Sequence, residues 1–304
     1  MKIFVAGATG VLGRRAVARL VAAGHDVSGV ARTPEKAELL RGIGAEPMTV
    51  DLFDAVSVKE AVAGHKAVCN LATNIPPLNK GFRKEAWQTN DRLRIEGSAN
   101  LVDGAIAAGA ELYLQESITF PYADGGDAWI TEDDERDYGT AMLSNKEAER
   151  QALRFTEAGG RGVVLRFAMF YSPDSSHSRS FVDMVKRGVS PLIGRSSGYA
   201  SFVHADDAAG AVVAGLDVPA GIYNVAEDNP TRKRDVAEKM AQLQRVKPPR
   251  FLPRWGLTLG GSGVRNLMRS QRIANRRFKE LTGWRPLHGS IAEGWADILA
   301  ELES

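Results

Sequence analysis

Lys2-Ile3-Phe4-Val5-Ala6-Gly7-Ala8-Thr9-Gly10-Val11-Leu12-Gly13 is an apolar run that breaks into glycines and passes into an amphipathic stretch. The run reads as a buried strand, and Leu12–Ala23 as the helix that follows. The glycines between them have separate tasks: a tight turn at Gly7, close backbone approach of a ligand at Gly10, and close packing of helix on strand at Gly13. A helix opening there presents unpaired N–H groups and a partial positive charge. With a strand before it and a helix after it, the spacing points to a dinucleotide pyrophosphate held by Gly7, Thr9, Gly10, Val11, Leu12 and Gly13.

Working outward, short apolar runs alternate with amphipathic segments, the pattern of βαβ units around a parallel sheet. Strands are expected at Lys2–Ala6, Asp26–Ala31, Glu46–Val50, Ala67–Leu71, Glu111–Gln115, Gly162–Arg166 and Ile222–Val225. Helices are expected at Leu12–Ala23, Pro34–Gly42, Ser57–Ala63, Trp87–Ala108 and about Thr140–Ala158. Thr33 before Pro34 reads as a helix cap followed by proline at the first helical position. After Arg166 the alternation loosens into loops rich in Ser, Gly and Pro. These features predict an α/β fold, a doubly wound parallel sheet (Rossmann fold) over residues 1–170. A smaller C-terminal domain, residues 171–304, is expected to cap the substrate, with segments near 200–228 returning to the main sheet.

An NAD site places an acidic residue at the end of the second strand, about 20 residues beyond the glycines. Ala31 occupies that place, followed by Arg32. A missing carboxylate removes repulsion against a 2′-phosphate, and the forked guanidinium of Arg32 can bind it, assisted by Lys36. NADP is therefore expected ahead of NAD. Asp51-Leu52 ends the third strand, where a carboxylate can meet the adenine or cap a turn, and Leu71-Ala72-Thr73 leaves small residues where nicotinamide and ribose pass.

The formal charge of +2 argues for neither nucleic acid nor an anionic membrane as partner, and 44% apolar with 25% charged residues is ordinary for a globular enzyme. Cys69 is the only cysteine, which excludes intrachain disulfides. His25, His65, His177, His204 and His288 are scattered without metal-ligand spacing, so no metal site is expected. No window reaches the roughly 18 apolar residues of a membrane span, and the first strand does not read as a signal peptide, so a cytoplasmic location is expected.

Further along stand Val164-Leu165-Arg166-Phe167, Phe202-Val203-His204-Ala205-Asp206-Asp207, Gly221-Ile222-Tyr223-Asn224-Val225 and Gly283-Trp284-Arg285-Pro286. With the glycine loop and Leu71-Ala72, this ordered series resembles the extended and atypical short-chain dehydrogenase/reductases, the NAD(P)-dependent epimerase/dehydratase family. The resemblance implies a catalytic Ser or Thr, a Tyr that moves a proton at the substrate oxygen, and a Lys four residues later that lowers the tyrosine pKa and holds the nicotinamide ribose. Ser117 matches the serine and Lys146 the lysine. Met142 stands where the tyrosine belongs, and a thioether cannot carry that proton.

Tyr138 is the nearest tyrosine, but eight residues along a helix is about 12 Å. Tyr122 and Tyr171 lie on loops that border the same cleft, and Glu116 could act as acid or base there. Arg94 stands where the family places Asn three residues before a glycine, here Gly97, with Asn90 one turn earlier. The segment at His204 resembles one that joins the cap to the nucleotide domain. The two long helices, 87–108 and 140–158, could pair across a homodimer. The expected function is that of an NADP(H)-dependent oxidoreductase or epimerase-like enzyme acting on a carbonyl or alcohol of a small organic substrate. The alternative is a non-catalytic NADP(H)-binding sensor or regulatory protein.

Overall fold

The apolar runs form β1 (Lys2–Ala6), β2 (Asp26–Val30), β3 (Glu46–Met48), β4 (Ala67–Asn70), β5 (Leu112–Ile118), β6 (Arg161–Phe167) and β7 (Gly221–Val225). The computed structural model describes residues 1–81, 83–253 and 261–303. The seven strands make one parallel sheet in the order β7-β6-β5-β4-β1-β2-β3. The helices are α1 (Val11–Ala22), α2 (Pro34–Ile43), α3 (Ala55–Val62), α4 (Gln88–Arg92), α5 (Ser98–Ala107), α6 (Leu143–Glu157), α7 (Ser176–Lys186), α8 (Ala205–Ala214), α9 (Lys233–Leu243), α10 (Gly261–Met268), α11 (Arg276–Thr282) and α12 (Ile291–Glu303).

Alternation along the strands builds a core on each face of the sheet. Ile3, Val5, Leu114 and Leu165 pack with Ala16 and Leu20 of α1 and Ala208 and Val212 of α8. Phe4, Val68, Tyr113 and Val164 point the other way, toward Val58 of α3, Leu101 of α5 and Phe155 of α6. A third cluster joins Val182 and Val185 of α7, Val236 and Met240 of α9, and Trp295 and Ile298 of α12. The second half of the chain thus supplies both β7 of the main sheet and a separate core.

Thr33 caps α2 as its sequence predicts, its Oγ1 accepting the Lys36 N–H at 3.4 Å, and Gly44 closes that helix in the left-handed region with φ 90°. The expected single helix over 87–108 is interrupted. A π turn, Leu93–Gly97, separates α4 from α5, and the Ser98 hydroxyl bonds back to the Arg94 carbonyl within it. Such wide turns re-aim one side chain and gather at functional sites; here the re-aimed residue is the buried Arg94. The fifth strand runs through Glu116, Ser117 and Ile118, whose backbones pair with β6.

Candidate active site

The glycine loop opens α1 with no side-chain cap and no acidic residue in its first turn, so the N-terminal N–H groups have no side-chain acceptor. Gly10 donates its N–H to the Gly7 carbonyl at 3.1 Å and accepts from Arg14 N at 3.1 Å. Gly7 lies at φ 78°, and a Cβ on it would stand 2.5 Å from the Leu71 carbonyl. A Cβ on Gly13 would stand 1.9 Å from the Gly7 carbonyl oxygen. Both contacts require hydrogen in place of a side chain, and together they set the helix N-terminus beside the end of β4. The result is a cradle of backbone N–H donors that suits a diphosphate.

Behind the loop, Arg15 is bound to Asp174 at 2.9 and 3.0 Å and to Asp206 at 3.2 Å, and Arg14 also pairs with Asp174. These arginines are spent in joining α1 to α8 and to the loop after Tyr171. Arg32 differs: it is exposed just past β2 and has no ion pair among the described residues; Lys36, half-buried on α2, likewise has none among them. Asp51 accepts the Phe53 N–H at 2.9 Å and so forms a turn, while Leu52 is buried and its carbonyl accepts from Asn100 at 3.0 Å. Asn70 accepts the Ala72 N–H at 3.2 Å, which fixes the exit of β4. Leu71 is buried, Ala72 half-buried and Thr73 exposed. Buried Asn90 accepts the Asn74 N–H at 3.0 Å and holds the loop that follows.

At the carboxyl end of β5 two buried arginine–carboxyl contacts stand side by side. Arg94 donates to Glu116 at 3.0 Å, and Arg166 of β6 grips Glu149 of α6 at 2.6 and 2.8 Å. The Ser117 hydroxyl, fully buried, donates to Glu149 at 2.7 Å, and the Tyr138 hydroxyl donates to the same carboxylate at 3.2 Å. Helix α6 begins only at Leu143, after Met142, so Tyr138 sits on a turn and reaches Glu149 in a way that a continuous helix would forbid. Tyr122, on the loop after β5, lies between Arg166 at 2.7 Å and Asn224 at 2.9 Å. Lys146 is exposed, whereas its neighbour Asn145 is buried and its Nδ2 has no acceptor among the described residues.

The electrostatics follow from burial and pairing. Burial pushes the Glu116 carboxyl above the usual range, Arg94 opposes the shift, and the Glu149 charge adds to it. The Tyr138 phenol is pushed up to about 12, by burial and then by the Glu149 charge. A tyrosine shifted in that direction holds its proton, the reverse of what the implied lysine-assisted tyrosine needs. Burial also pushes the Cys69 thiol up to about 12, which makes it an inert core residue.

Sequence spacing missed one cluster. His204, Asp207 and His288 bring ligand-type atoms within 4.8 Å of one another, though 81 residues separate Asp207 from His288. Their atoms already have partners: Asp207 accepts from Leu287 N at 2.7 Å and from His288 Nδ1 at 2.9 Å, and His204 Nδ1 accepts from Asp206 N at 3.3 Å. That arrangement ties the tail before α12 to α8.

A glycine-loop cradle on a doubly wound sheet, with a polar cluster at the end of β5, defines a nicotinamide-dinucleotide enzyme of the oxidoreductase and epimerase kind. The chain belongs to the NAD dependent epimerase/dehydratase family, whose model matches residues 3–226. It is 33% identical over 97% of its length to 99% of a 3-diazoavenalumate denitrifying reductase from a Streptomyces species. Among solved structures it resembles the UDP-glucose 4-epimerase of Thermotoga maritima with UDP-glucose, at TM-score 0.80 and 20% identity over the whole of both chains. It also resembles the Thermus thermophilus UDP-glucose 4-epimerase in complex with NAD, at TM-score 0.78 and 21% identity, over 100% of this chain and 99% of that one.

Proposed function

We propose that the protein is an NADP(H)-dependent reductase of a small organic substrate. One observation carries the cofactor choice: Arg32 follows β2 with no ion pair among the described residues, and no acidic residue stands in the ribose position. The glycine loop would hold the diphosphate, Arg32 and Lys36 the 2′-phosphate, Asp51 and Leu52 the adenine side, and Leu71, Ala72 and Thr73 the nicotinamide side. Bound nicotinamide supplies hydride. Lys146, exposed on the first turn of α6, is free to take ribose hydroxyls. Ser117 and Tyr138 act on the site by orienting Glu149, since both hydroxyls are engaged with it. The residues after 170 would cover the substrate at the carboxyl ends of the strands, where ligands of such sheets bind. The free, buried Cys69 fits work in the reducing cytoplasm. Exposed Ile106 on α5 and Leu153 on α6 support pairing of these helices in a homodimer.

The direction of chemistry, reduction, is supported by the full-length likeness to a reductase whose name describes denitrification of a diazo compound. Incubating the protein with NADPH and a panel of carbonyl compounds and aryl diazo compounds tests it. Oxidation of NADPH by at least one acceptor is expected. Tight NADPH binding with no oxidation across the panel points instead to a sensor. For the cofactor, Arg32→Ala should weaken NADPH binding about 10-fold or more while NADH changes little, since a charge-assisted contact contributes about 1.5–3 kcal/mol. Equal losses for both in a fluorescence titration remove Arg32 as the phosphate ligand.

A further inference from the structure

Reduction leaves an electron pair that a proton must meet, and Met142 replaces the tyrosine that would deliver it. Around β5, Ser117 and Tyr138 donate to Glu149, Arg166 closes Glu149, and Tyr122 lies between Arg166 and Asn224. Glu116 is placed differently. Gln115 pairs with Asn70, the last residue of β4, so Glu116 is the first residue of β5 to run beyond β4 at the ligand-binding edge. Its hydrogen-bond partner is Arg94, which lies in the π turn. Arg94 uses only Nη2 for this contact. Its Nε and Nη1, like Asn145 Nδ2, are buried without an acceptor among the described residues. Leaving a buried donor unmet is costly, so these nitrogens suit a ligand group that brings acceptor atoms.

We propose that Glu116 is the catalytic acid of this enzyme and that Arg94 positions both Glu116 and the acceptor oxygen of a carbonyl-type substrate. The inference rests on the reductase reading above. In the step, the Oε–H bond of Glu116 breaks and an O–H bond forms on the substrate oxygen that gains the electron pair. The substrate carbon is reduced by hydride, and the nicotinamide is the group oxidised. The Glu116 carboxylate left behind is neutralised by Arg94 until water returns the proton. The charges acting on Glu116 are Arg94 from the π turn and Glu149 from α6, the latter paired with Arg166 of β6. Burial and the Glu149 charge push the Glu116 carboxyl above the usual carboxylate range, and Arg94 opposes them.

Infrared difference spectra of the NADPH complex at neutral pH, native against Glu116→Gln, should show a protonated-carboxyl band that the variant lacks. Glu116→Gln keeps the shape of the side chain, and its turnover should fall about 100-fold or more with NADPH affinity little changed. Because the acid must be protonated, native turnover should decline as pH rises through the Glu116 ionisation, and that limb should vanish in Glu116→Gln. Arg94→Lys keeps the charge without the fork; it should raise KM and retain the alkaline limb. An ionised Glu116 at neutral pH, or full turnover by Glu116→Gln, overturns the proposal. If the native protein oxidises no NADPH, the reductase reading has failed, while the infrared comparison still reports whether Glu116 holds its proton.

Discussion

Gly13→Ala is expected to weaken NADPH binding by about 100-fold or more, the loss of two charge-assisted contacts to a diphosphate. The new methyl carbon would stand 1.9 Å from the Gly7 carbonyl oxygen, 2.8 Å from the Gly7 carbonyl carbon and 2.9 Å from the Ala8 carbonyl carbon. All three are backbone atoms, so no side-chain rotation relieves the overlap, and either the loop or the start of α1 must move. Movement of either one breaks the alignment of α1 N–H groups on which phosphate binding depends. Overpacking of this kind also costs about 1–3 kcal/mol of stability, which thermal unfolding separates from the binding loss. Gly42→Ala is the control. It lies inside α2 with no atom within 4 Å of a new Cβ, and it should stabilise the helix by up to about 1 kcal/mol while leaving NADPH affinity alone. Native affinity in Gly13→Ala would place the diphosphate elsewhere.

The part of the fold that can be read along the chain is the part made by neighbours in sequence. The turn from β1 into α1, the Thr33 cap and the alternating faces of the strands each depend on residues within a few positions of one another, so composition and spacing carry them. The site at the end of β5 is made differently. Glu116 and Ser117 look like the end of a strand because the apolar pattern stops at Leu114, yet each continues the strand by burying its polar group against a partner. Those partners, Arg94 and Glu149, are 22 and 32 residues away. Periodicity cannot register a π turn, because one extra residue per turn leaves the apolar spacing on either side almost unchanged. The first turn of α6 shows the same limit: adjacent Asn145 and Lys146 face opposite environments, and only packing against β5 tells which of them is buried. Tyr138 reaches the cluster because α6 starts late, a boundary of the kind that local propensity places least well.

Glu149→Ala should destabilise the protein by about 3–5 kcal/mol, the usual cost of breaking a buried ion pair from one side. The carboxylate is nearly inaccessible to solvent and receives hydrogen bonds from Arg166, Ser117 and Tyr138, on three separate segments of the chain. It also holds the Arg166 guanidinium charged, above its ordinary value, against the opposing effect of burial. Without it, a buried cation and a buried hydroxyl lose their acceptor in the core between β5, β6 and α6. Glu149→Gln keeps one acceptor oxygen and should lose less. Replacing both partners, Glu149→Met with Arg166→Met, removes the unpaired charge and should recover much of the stability, because apolar groups of similar volume often substitute for a buried pair at little cost. Urea unfolding of the single and double variants gives the coupling directly. If Glu149→Ala unfolds within about 1 kcal/mol of the native protein, the span allotted to exposed pairs, water reaches this pair and it cannot be what orients the end of β5.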